Sequence, residues 1–324
     1  LRVMRAAAMG RDGELTQRGA LQHKQIAERM LKNFPQIFAG KTNVDAKSTV
    51  VIRCILSMEN ALQEMTKMNP QLNITHDASY HDMYYMNYDD TLLFKKRMPT
   101  SAMVPYTEFC KNHEHPERVM RLLFNDDDYW KNHLNANKLY EVLFKQASNV
   151  QSTELRNSMS LYDLFTDDEI YDLWLINNAW WYINYGACPL NGGNQPYSQR
   201  NLLRKIISDA DSCIALPHPG VTLRYGHDTM VMPLTCLMDL DEMGMQVSDL
   251  EQLAYKGWNN YRIFPMACNI QFVFYHKKGS KDILVKVLRN ENEATLPIKT
   301  DIAPYYHWKD VRQYYLDKLN KFTE

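Results

Sequence analysis

The chain has 324 residues, with 37 Lys plus Arg against 38 Asp plus Glu. A formal net charge of −1 excludes a dedicated nucleic-acid binder of the usual basic kind, while leaving room for a local basic pocket. Apolar residues at 45% and charged residues at 23% exclude wholesale disorder, and the length suits one large domain or a core with an inserted lobe. No run of about 18 apolar residues occurs, so no membrane-spanning helix is expected.

In chain order, Ala27, Met30, Leu31 and Phe34 recur at the spacing of one apolar helix face. They predict a helix from Thr16, its cap, to Phe34, where Pro35 breaks it. A short strand follows around Val44 to Ala46. Ser48 or Thr49 is the expected N-cap of a second helix, whose stripe is Val51, Cys54, Ile55, Met58, Ala61, Leu62 and Met65. Leu72 to Thr75 reads as another strand.

From about Tyr80 the pattern changes. Residues 80–198 are rich in Tyr, Trp, Asn and Asp and poor in strand signals, and they read as a helical lobe inserted into an α/β core. Asn125 to Asp128 precede a helix beginning near Tyr129, and a longer helical stretch lies between Leu161 and Tyr185. Asn191 to Asn194 form a loop. The core then resumes with a helix near Ser198 to Cys213 and a strand at Val221 to Tyr225. Gly226 to Thr229 turn sharply into a helix carrying Met230, Val231, Leu234, Leu237 and Met238. Asn269 to Tyr275 and Asp282 to Leu288 alternate as two strands about a turn at Lys277 to Ser280. A last helix runs from Trp308 to Phe322.

The six cysteines form no Cys-x-x-Cys and flank no spaced His pair, so zinc is not expected. His113-Glu114-His115 has no third ligand at helical spacing and reads as surface. His76-Asp77 and His81-Asp82 read as chance pairs. Trp180-Trp181-Tyr182 reads as packing. Lys95, Lys96 and Arg97 are candidates for a basic pocket, although a charge run is more often a solvated face.

Two places share one geometry. Ser48-Thr49 through Arg53, and Arg224-Tyr225-Gly226-His227-Asp228-Thr229, are each a strand end turning into a helix with reactive polar residues at the junction. In open α/β sheets ligands bind outside the carboxyl ends of the strands, where helix N-termini attract anions. An Arg there can grip a phosphate with two parallel hydrogen bonds, while His and Asp position it and deliver a proton.

These segments resemble the second branch of the histidine phosphatases, the histidine acid phosphatases and phytases. Gly13-Glu14-Leu15-Thr16-Gln17-Arg18-Gly19 is similar to that family's G-x-L-T-x-x-G segment. Ser48-Thr49, Arg53 and Ser57 are similar to its S-T-x-x-x-R-x-x-x-S segment, and Gly226-His227-Asp228-Thr229 to its G-H-D-T signature. The resemblance implies an α/β fold with a central mixed sheet flanked by helices. The phosphatase core would be residues 1–79 and 199–324, and a helical cap residues 80–198. It implies hydrolysis of phosphomonoesters through a phosphohistidine, without metal or other cofactor, because side chains supply the cations. By motif match Asp228 is the proton donor, and Arg53, His227 and Thr229 bind the phosphoryl oxygens. The expected partner is a small phosphomonoester rather than nucleic acid. Family members are largely exported, which implies a periplasmic or extracellular location. Multiple inositol polyphosphate phosphatases more often carry His-Ala-Glu at the signature, so that subgroup is the less expected one.

The family's attacking histidine belongs to an Arg-His-Gly motif, and none occurs in these residues. Arg18-Gly19 is no substitute, lying inside the matched downstream segment. The nucleophile is therefore expected upstream of Leu1. The alternative is a catalytically inactive phosphate-ester-binding protein on the same fold. A third reading, a carbohydrate-binding or structural α/β protein with coincidental motifs, predicts that Arg53 and His227 lie far apart.

Overall fold

Asn43–Ser48 (β1) is the middle strand of a parallel sheet, with Asn73–Asp77 (β2) on one side and Gly220–Tyr225 (β3) on the other. The computed structural model that shows this describes residues 2–87 and 89–323. The connection from β1 to β2 is the helix Ile52–Met68, which buries Cys54, Met58, Ala61, Leu62 and Met65. That stripe packs with Ala27 and Leu31 of the helix Gln17–Asn33 and with Val44 and Ala46 of β1. Thr16 caps the latter helix, its hydroxyl accepting from the Gly19 N–H at 3.1 Å.

The helix after β1 does not start where Ser48 or Thr49 would cap it. Ser48 still belongs to β1, paired with Tyr225, and the Thr49 N–H donates to the Tyr225 carbonyl at 3.0 Å. The sheet ladder thus uses the backbone that a cap would need, and helical geometry begins at Ile52 with Val51 as an N-cap that makes no side-chain hydrogen bond. Arg53 lies in the first turn.

The α/β class stands, and its strands divide into two sheets. Ile270–His276 (β4) and Ile283–Arg289 (β5) form an antiparallel hairpin, and β5 also pairs with Asn292–Glu293 (β6) and Tyr306–His307 (β7). Val285 and Val287 of β5 enter a core with Leu203 and Ile207 from the helix Arg200–Ile214, Leu234 and Leu237 from Asp228–Met238, and Val311 and Tyr315 from Trp308–Asn320.

Between β2 and β3 the regular elements among the described residues are all helices. Thr166 opens the helix Asp167–Tyr185 with a reciprocal capping box to Glu169. This satisfies donors that a helix start leaves free. Ile176, Ala179, Tyr182 and Ile183 of that helix pack with Met232, Cys236 and Trp258, while Val119, Trp130, Tyr140 and Leu173 gather in a separate cluster. No helix among the described residues is long and apolar enough to cross a membrane.

Candidate active site

Parallel pairing places the carboxyl ends of β1 and β3 at one edge. Because Ser48 is in register with Tyr225, residues 49–53 and 226–228 leave the sheet side by side. Gly226 lets the second junction turn closely, since a Cβ there would lie 2.6 Å from Met230 Sδ. The structure thereby brings Arg53 and His227 together across 174 positions, with Arg53 Nη2 3.4 Å from His227 Nδ1. Arg53 Nη1 also donates to the Gly13 carbonyl at 3.4 Å, so all three sequence segments meet at one guanidinium. The Ser57 hydroxyl donates to the Arg53 carbonyl at 2.8 Å, anchoring the turn that carries it.

Arg53 is exposed and His227 buried. His227 is the N-cap of the helix Asp228–Met238 and makes no side-chain capping bond. Two helix starts without side-chain caps of their own therefore converge here, one behind Val51 and one behind His227. Free first-turn N–H groups and the helix dipole favour an anion at such a place. Asp228 is exposed, its Oδ1 accepting from the Thr229 N–H at 2.8 Å. Thr229 is half-buried, and its N–H is taken by that carboxylate. Arg224 is occupied elsewhere, paired with Asp45 at 2.9 Å and Asp209 at 3.0 Å.

The electrostatics follow from burial and neighbours. Burial pushes the His227 pKa below the ordinary histidine value, and the Arg53 charge pushes the same way, while Asp228 and Asp89 oppose. Burial raises the Cys54 thiol, against a Thr49 hydrogen bond and the Arg53 charge. An exposed guanidinium beside a buried imidazole, at two helix starts without side-chain caps, is a setting that suits an oxyanion.

Three features differ from the sequence reading. Arg97 is not a solvated charge beside the exposed Lys95 and Lys96. It is buried between the Phe94 and Tyr185 rings, at 4.6 and 4.2 Å, and pairs with Asp89 at 3.3 Å. His113 is not simply surface either, because it bridges Asp172 at 2.7 Å and Glu251 at 2.9 Å. Thr49, expected as a helix cap, reaches His227 instead, with Oγ1 3.1 Å from Nε2. No local signal gives that contact, which spans 178 positions.

The family model of the histidine phosphatase superfamily (branch 2) matches residues 8–290. The chain belongs to that family. It is 22% identical over 321 residues to the multiple inositol polyphosphate phosphatase 1 of Gallus gallus, covering 94% of this chain and 69% of that protein. The Homo sapiens protein of the same name is 22% identical over 334 residues, with 93% and 67% covered. These relatives come from the subgroup that the His-Asp-Thr signature made the less expected one. Among solved structures, the multiple inositol polyphosphate phosphatase of Bifidobacterium longum in complex with inositol hexasulfate superposes with a TM-score of 0.66 at 16% identity, covering 94% of this chain and 79% of that one. The phytase from D. castellii gives 0.63 at 12% identity, with 93% and 64% covered. Both share the fold.

Proposed function

We propose that this protein hydrolyses phosphomonoesters, with inositol polyphosphates as the substrate class. The observation that carries the reading is the single guanidinium of Arg53, which reaches His227 and Gly13 at the carboxyl edge of the parallel sheet. That geometry favours a phosphate site over the reading in which the motifs are coincidental. The curated relatives support hydrolysis over the inactive alternative, and their substrates supply the class.

In this reading Arg53 and His227 hold the phosphoryl oxygens, whose spread negative charge grows toward the transition state. An imidazole from an Arg-His-Gly segment, not among these 324 residues, attacks phosphorus. The bond to the ester oxygen breaks, and Asp228 gives that oxygen its proton. Water then releases phosphate from the phosphohistidine. Side-chain cations and backbone N–H groups carry the stabilisation, so a chelator is expected to leave the rate unchanged. Residues 80–198 act as the cap over a core formed by 1–79 and 199–324, and the separate cluster around Trp130 and Tyr140 supports that division. The family resemblance supports an exported, periplasmic or extracellular protein.

The test is phosphate release from inositol hexakisphosphate by the natural gene product, together with trapping of an acid-labile radiolabelled phosphoenzyme. Arg53→Ala is expected to lower kcat/KM by about 10²–10³-fold, the usual cost of removing one oxyanion-stabilising donor. Binding of the ester without turnover or trapped label would instead support the inactive alternative.

A further inference from the structure

The floor beneath the His227 ring has a direction. Thr49 is completely buried and its Oγ1 lies 3.1 Å from His227 Nε2. On the other side of the ring, Arg53 Nη2 lies 3.4 Å from Nδ1. A guanidinium has hydrogens to give and no lone pair to accept one, so Nδ1 is the bare nitrogen in that contact. The ring hydrogen is then on Nε2 and is donated to Thr49. The Cys54 thiol beside them donates to the Gly226 carbonyl at 3.1 Å. Donation thus runs from His227 to Thr49. Cys54 Sγ, 3.7 and 3.9 Å from the two ring nitrogens, closes the space below.

We propose that Thr49 is a positioning residue: its hydroxyl fixes the His227 imidazole with hydrogen on Nε2, leaving Nδ1 to take up a proton as a phosphoryl group arrives. This rests on Arg53 and His227 being the phosphate-binding pair. A phosphoryl oxygen can only accept hydrogen bonds, and the Nδ1 lone pair would repel it. When the oxygen displaces the Arg53 contact, one proton from solvent binds Nδ1. The imidazolium then donates from Nδ1 to the oxygen and from Nε2 to Thr49, and no other bond changes. Among the described residues, the charged and titratable groups around the ring include Arg53 and Cys54 on the helix Ile52–Met68, Asp228 on the helix Asp228–Met238, and Asp89 before Thr91. Arg53 opposes the new charge and the two carboxylates favour it.

The probe is tungstate, a tetrahedral oxyanion that carries no proton of its own at neutral pH. Calorimetry of the natural protein in buffers of different ionisation enthalpy should show about one proton taken up per tungstate bound. Thr49→Ser should keep that uptake. Thr49→Val should take up clearly less and bind tungstate about tenfold more weakly, as expected for loss of one buried hydrogen-bond partner. Imidazole ¹⁵N spectra, with His227 identified by its loss in His227→Gln, should show only Nε2 protonated in the free protein and both nitrogens protonated with tungstate. Tungstate bound at His227 without proton uptake, or Nδ1 protonated in the free protein, overturns the proposal and leaves the phosphate site standing. Unchanged uptake and spectra in a folded Thr49→Val also overturn it. Tungstate that leaves the His227 resonances unmoved overturns the phosphate site itself. The wild-type spectra and Thr49→Ser carry the test if the Val variant does not fold.

Discussion

Asp228, the proposed proton donor, stands exposed at the start of its helix, one residue beyond a buried imidazole. A proton donor matters in proportion to the basicity of the oxygen that leaves. Asp228→Asn should therefore slow alkyl phosphates by about 10²–10⁴-fold, the typical worth of a general acid, and slow nitrophenyl phosphate far less. Equal losses on both esters, measured side by side, would remove Asp228 from that role. At His227 the burial that keeps the free imidazole neutral also costs stability in acid. A group whose folded pKa is lowered resists protonation, so folding loses free energy as the pH falls through the ordinary histidine value. The carboxylates of Asp228 and Asp89 temper that loss.

Among the elements, the helices Thr100–His113 and Asp167–Tyr185 are tied to the turn at Leu250–Gln252 by one side chain, His113, through Asp172 and Glu251. Burial works against its charge, but the hydrogen bonds and charges of the two carboxylates outweigh it and raise its pKa. A raised folded pKa gives stability that is complete below the ordinary histidine value and fades as pH climbs through the raised one. His113→Gln should lower Tm in mildly acidic buffer, by an amount equivalent to about 1 kcal/mol. The difference from wild type should shrink above neutrality. A gap that does not change with pH would show that His113 acts by packing alone. The core helices and both junctions were legible in the sequence because apolar stripes and Gly-His-Asp-Thr are local signals, whereas Thr100–His113 and Ala136–Val150 were not marked individually. The meeting of Arg53 with His227 was legible too, since parallel strands end at one edge. The partners of Thr49, His113 and Arg97 were not. A buried threonine, a bridged histidine and an arginine under an aromatic ring look like cap, surface and charge run until distant segments pack on them. Likewise alternation marks β4 and β5 as strands without saying that they form a second sheet.

Across the whole molecule, Trp258 joins the helix Asp167–Tyr185 to the segment that follows Asp228–Met238. It is fully buried, its ring 5.0 Å from that of Tyr182. Its indole N–H donates to the Met243 carbonyl at 3.2 Å, and its own carbonyl accepts from Asn178 at 2.9 Å. Trp258→Ala should cost about 3–5 kcal/mol in denaturant unfolding, as for other large-to-small core changes. A loss under about 1 kcal/mol would show that the site collapses around the deletion.

The order of the parallel sheet also has a consequence for how the protein comes into being. β1, its helix and β2 are neighbours in sequence, so they can pair as soon as they leave the ribosome. β3, the other flank of β1, is synthesised much later. Until it docks, Arg53 has no His227 to meet, so the proposed anion-binding pair is among the last features to form. Closing so long a loop is a slow, entropically opposed step. In refolding experiments, far-ultraviolet circular dichroism should recover before tungstate binding does. Simultaneous recovery would mean that β3 docks as early as β2.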